Sequence, residues 1–180
     1  MQKIKSVSHV LSQFFRGLCW LLPLIMSYFT LFHLEGALNI GVFSQVISSE
    51  KVQNAGYFSL THRLFILLIE FLPLSITVLI CHKLANLFRL YERGYLFEEE
   101  NISLIKHVAI FMLIGQLIQL VYQPLITAAL TLNNPAGERF ASITLGTTNA
   151  STIITAIIML VASWIIKEAQ QLNVDSKLTI

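Results

Sequence analysis

The chain has 180 residues, of which 55% are apolar and 12% charged, with a net charge of +2 and a mean hydropathy of +0.70. That charge content is about half of the ~25% usual in soluble domains. It excludes a disordered chain, a nucleic-acid-binding module and an ordinary water-soluble enzyme, and implies a bilayer as the solvent.

In chain order, residues 1–15 place Ile4, Val7, Leu11, Phe14 and Phe15 at helical spacing. This predicts an amphipathic helix lying on the inner membrane interface. Four apolar stretches follow, giving spans at about 17–34, 64–84, 106–132 and 147–166. Each can cross a ~30 Å hydrocarbon core at ~1.5 Å per residue. All must be helical, because lipid offers free backbone groups no partners. The first reads as an uncleaved anchor, since no A-x-A-like cleavage site follows it. Pro23, Pro73 and Pro124 fall inside spans as tolerated kinks.

Residues 35–63 and 133–146 form the outer loops. In the first, Ile40, Phe43, Val46 and Ile47 predict a small helix, with Asn54-Ala55-Gly56 as its turn. In the second, Asn133-Asn134-Pro135-Ala136-Gly137 is a turn. Between the second and third spans, residues 85–105 predict a cytoplasmic helical hairpin. His82, Lys83, Asn86, Arg89 and Arg93 share one helical face, Gly94 stands at the C′ position, and Glu98-Glu99-Glu100 open the next helix. Four bases (Lys83, Arg89, Arg93, Lys106) meet four acids (Glu92, Glu98, Glu99, Glu100). That balance argues against direct nucleic-acid or anionic-lipid binding by this loop alone.

Lys and Arg set the orientation. With a cytoplasmic N-terminus, nine of the twelve basic residues fall inside, and Lys51, Arg63 and Arg139 fall outside. The positive-inside rule then puts both termini, including the tail 167–180, in the cytoplasm.

Glu70 is the one acid well inside a span. A mid-bilayer carboxylate costs ~2.5–3.5 kcal/mol on insertion scales, so it must face protein or water. It lies ~9 Å below the outer interface by helical rise. Gln116, Gln119 and Gln123 share a face of the third span, with Gln119 at the same level as Glu70. Thr148, Ser151, Thr152 and Thr155 line the outer half of the fourth span. These residues are a candidate intramembrane polar site; the competing reading is that they only bond one another as interhelical glue.

No cofactor or metal site is expected. Cys19 and Cys81 lack metal-ligand spacing, and His33, His62, His82 and His107 read as interface histidines rather than haem ligands. No catalytic motif is present, so the chain is not read as an enzyme.

Gly94-Tyr95-Leu96-Phe97-Glu98-Glu99-Glu100-Asn101, directly before a span, resembles the G-x-x-F-[ST]-x-E-N signature of a small bacterial four-span membrane family catalogued as a domain of unknown function. Glu168, Leu172 and the terminal Leu178-Thr179-Ile180 are similar to the family's closing E…L…L-T-[VI] pattern. Glu98 departs from it, standing where the family usually has an N-capping Ser or Thr. Family members are often encoded beside a Cro/cI-type helix-turn-helix repressor. The resemblance therefore implies a cytoplasmic helix-turn-helix regulator as partner, and a cytoplasmic interaction motif at Gly94, Phe97, Glu100, Asn101, Glu168, Leu172, Leu178, Thr179 and Ile180.

The expectation is an all-α protein: one integral membrane four-helix bundle in the bacterial cytoplasmic (inner) membrane. Two functions stay open, a regulatory or interaction protein and a small transporter or permeation protein using the Glu70 cluster. The lipid bilayer is a partner in both; a homo-oligomer stays open as well.

Overall fold

The computed structural model describes residues 2–52, 58–95 and 98–178, with the backbone alone described at 2, 49 and 172–178. The elements are α1 (Gln2–Phe32), α2 (Leu34–Ile40), a 3-10 turn (Ser49–Lys51), α3 (Leu60–Arg93), α4 (Glu99–Thr131) and α5 (Thr147–Leu178). No strand occurs among the described residues. Four of the helices, α1, α3, α4 and α5, are long and apolar enough to cross a membrane. Their large side chains are widely exposed, Trp20, Leu68, Leu117, Ile158 and Trp164 all above 60%. In water such exposure would drive aggregation; against lipid tails it costs nothing.

The chain divides into two compact units: Met1–Trp20, Ile76–Ile114 and Thr147–Ile180 make the first, Leu21–Ser75 and Gly115–Gly146 the second.

In the first unit, α1 runs antiparallel along α3. His9 Nδ1 meets Glu92 Oε1 at 2.9 Å, the Ser12 hydroxyl donates to the Ala85 carbonyl at 3.0 Å, and Cys19 Sγ approaches the Val78 carbonyl at 3.7 Å. Phe15 stacks on Phe88 with ring centroids 5.7 Å apart. The lead-in, read as an interfacial helix, and the first span are one continuous helix, Gln2–Phe32. Its buried side is also not the apolar one: Ser8 and Ser12 are buried, whereas Ile4, Val7, Val10 and Phe14 are exposed. Lipid gives apolar side chains no reason to turn inward, so small residues that permit close approach and a hydroxyl-to-carbonyl bond take the helix interface. Cys81 and Ala85, both buried, are the small residues of α3 on that stretch.

The second unit has the dense core. Leu34, Phe43, Ile47, Phe58, Ile66, Ile126 and Leu130 form one cluster with Tyr122, so the segment after α1 packs onto α3 and α4. Arg63 donates through Nη1 to the Leu31 carbonyl at 2.8 Å, satisfying a backbone group at the end of α1. The short helix lies earlier than its apolar spacing predicts. Gly41, at φ 83°, ends α2, and Phe43, Val46 and Ile47 form only a turn closed by bonds to the Phe43 carbonyl. The predicted turn at Asn54-Ala55-Gly56 lies outside the described residues. Asn134 fastens the second loop to the first, donating to the Lys51 carbonyl at 2.8 Å.

Candidate functional site

Glu70 is 1% exposed, although its helix is mostly open to the surroundings. Its partner is Thr30, whose hydroxyl donates to Glu70 Oε2 at 2.6 Å. The distance lies within the ordinary O–H···O range. The other oxygen, Oε1, is buried with no hydrogen-bond partner. Tyr122, in the same compact unit, is also buried. The site is a half-satisfied carboxylate, able to accept one more proton or donor.

The glutamines behave differently. Gln116 keeps a buried, unpartnered Oε1, and Gln119 is half-buried. Among the described residues no hydrogen bond joins Glu70 to Gln116, Gln119 or Gln123. Gln123 instead accepts the backbone N–H of Thr144 at 2.5 Å. Thr127 Oγ accepts from Ser142 N at 3.0 Å while donating to the Gln123 carbonyl at 2.8 Å. Thr131 Oγ accepts from Phe140 N at 3.2 Å and donates to the Thr127 carbonyl at 2.8 Å. Three side chains four residues apart on α4 therefore hold alternate amides of the extended segment before α5. The match is geometric: four helical residues rise ~6.0 Å, and two extended residues ~6.6 Å. Gln123 belongs to this ladder. Thr148, Ser151, Thr152 and Thr155 lie in the first unit. There, Thr152 donates to the Thr148 carbonyl at 2.9 Å and Thr155 to the Ser151 carbonyl at 2.8 Å, both within α5.

The histidines bond locally. His62 donates to the Ala129 carbonyl at 2.7 Å and stacks on Phe58, and His107 donates to the Ser103 carbonyl at 2.7 Å. His33 contacts the Tyr28 hydroxyl at 3.1 Å, and His82 contacts Asn86 Nδ2 at 3.1 Å. Among the described residues no group of three or more His, Cys, Asp or Glu is placed to hold a metal ion.

At the turn between α3 and α4, Gly94 adopts φ 94°. Its N–H bonds the Tyr91 carbonyl and the Tyr95 N–H the Leu90 carbonyl, each at 3.1 Å, a Schellman closure. Asn101 is 2% exposed and donates through Nδ2 to the Tyr95 carbonyl at 2.6 Å. The two ends of the motif thus fold one tight corner, while Glu100 is exposed. Residues 45–180 match a family described as a protein of unknown function, DUF2975. The chain belongs to the DUF2975 family. No curated protein and no solved structure matches it.

In this DUF2975 chain Glu98 precedes α4, and its carbonyl accepts from Asn101 N at 3.0 Å. Phe97, Thr179 and Ile180 lie outside the described residues. Leu172 and Leu178 are described by their backbone, as part of α5, and Glu168 is exposed on the same helix. Sequence reasoning missed Thr30, Thr127 and Thr131. For the threonines of α4 a signal existed, the four-residue spacing from Gln123 inside an uncharged stretch.

Proposed function

We propose that this DUF2975 member is a non-enzymatic, multi-pass protein of the bacterial inner membrane. In this reading both termini and the 94–101 corner face the cytoplasm, and the chain engages a cytoplasmic partner there. One observation carries it: the helices overshoot a bilayer, and the overshoot is where the charges are. At 34, 33 and 32 residues, α3, α4 and α5 are each ~48–51 Å long against a hydrocarbon core of ~30 Å. Arg89 and Arg93 at the end of α3 and Lys167 in α5 occupy the excess, and Lys83 and Lys106 stand at the inner edges of their spans. The positive-inside bias then directs that excess to the cytoplasm. Such projecting helix ends offer a protein partner a surface, and the family resemblance implies a small helix-turn-helix regulator.

The test is co-purification of the full-length chain, expressed in its own host, with a small Cro/cI-type helix-turn-helix regulator. Recovery is expected with the full chain, and at least about tenfold less with a chain ending at Lys167, a loss of ~1.4 kcal/mol or more. Equal recovery from both, or none from either, contradicts the reading.

A second reading, a small transporter or permeation protein, is favoured by the unpartnered Glu70 Oε1. Ion or dye flux that Glu70→Gln abolishes would select it.

A further inference from the structure

The pairing of α1 with α3 leaves a cleft of about 410 Å³ along one edge. That falls within the ~300–1,000 Å³ of small-molecule sites. Ser12, Arg16 and Trp20 line it from α1, and His82, Asn86 and Arg89 from α3. Both arginines are exposed, and among the described residues neither pairs with a carboxylate. Glu92, one turn beyond Arg89 on α3, is taken by His9. The charges of the α3–α4 hairpin balance by count, but their placement leaves two guanidinium groups uncompensated on this cleft. His82 and Asn86 bond each other at 3.1 Å, which orients both polar side chains.

The cleft is also two-faced. Trp20, 75% exposed, lies one turn along α1 from Arg16, and Leu79, 41% exposed, precedes His82 on α3. Trp20 therefore sets an exposed apolar side chain one turn from Arg16, and Leu79 sets another one turn from His82. Arginine forks match phosphate oxygens two at a time, while an interfacial tryptophan suits the boundary between headgroups and acyl chains. A free phosphate uses only the cationic part. A phospholipid uses both.

We propose that Arg16 and Arg89, with His82 and Asn86 beside them and Trp20 at the apolar rim, bind the phosphate of an anionic phospholipid. The experiment is native mass spectrometry of the full-length chain, released from detergent after incubation with phosphatidylglycerol, phosphatidylcholine or inorganic phosphate. The expected result is about tenfold more phosphatidylglycerol than phosphatidylcholine adduct, with little displacement by inorganic phosphate. Arg16→Gln with Arg89→Gln is expected to abolish that preference. Lys3→Gln with Lys5→Gln, which removes the same charge from the start of α1, is expected to keep it. Arg89→Lys, keeping the charge without the fork, is expected to fall between; circular dichroism checks that each variant is folded. Equal adducts of the two lipids overturn the proposal. So does a preference that survives loss of both arginines, or that is lost equally with Lys3 and Lys5, and so does binding of inorganic phosphate without lipid.

Discussion

A carboxylate removed from water needs donors, and Glu70 has one, the Thr30 hydroxyl. Glu70→Gln retains an oxygen that can accept this bond, so its thermal midpoint in detergent is expected to stay close to that of the parent chain. Thr30→Val keeps the shape but leaves both carboxylate oxygens without a donor, at an expected cost of about 1–3 kcal/mol. Thermal unfolding of the two variants side by side checks the order; an equal or larger loss for Glu70→Gln would contradict it. Glu70 was legible in the sequence because a solitary acid in an apolar stretch has no ordinary place. Thr30 was not, since Ser27, Tyr28 and Thr30 are all polar groups of the same helix and periodicity does not fix their rotation about it.

Among the elements, the ladder from Gln123 to Thr131 shows how non-helical backbone is held beside a helix. The amides of residues 140–144 have no strand to pair with, and the side chains of α4 take alternate ones. Thr127→Val removes the middle rung. Faster hydrogen exchange at the Ser142 amide is expected, with little change in the middle of α3. Unchanged exchange would mean that the segment is held by other contacts. Gly94 was legible as a helix stop because a charged, amphipathic helix ends there and a positive φ favours glycine. The ladder was harder to see: helical spacing on one side must be matched to extended spacing on the other, and neither segment announces the pairing alone. In the lead-in, periodicity marked the apolar side but not the side that packs on α3, where Ser8 and Ser12 are buried.

At the scale of the molecule, four apolar helices and membership of DUF2975 mark a membrane protein. Composition made that legible at once, because so few charges cannot cover a soluble surface. The second unit, where the loops pack around Phe43, Phe58 and Tyr122, was not legible from the sequence. Loop contacts of this kind carry no period. The proposed function needs the overshooting helix ends to lie in the cytoplasm, and labelling of single cysteines in intact cells tests this directly. The background is a chain carrying Cys19→Ala and Cys81→Ala, probed with a membrane-impermeant maleimide. Asn133→Cys, exposed in the loop after α4, is expected to react in intact cells. Glu100→Cys, exposed at the start of α4, is expected to react only after permeabilisation. The reverse pattern would turn the corner and the tail outward and contradict a cytoplasmic partner.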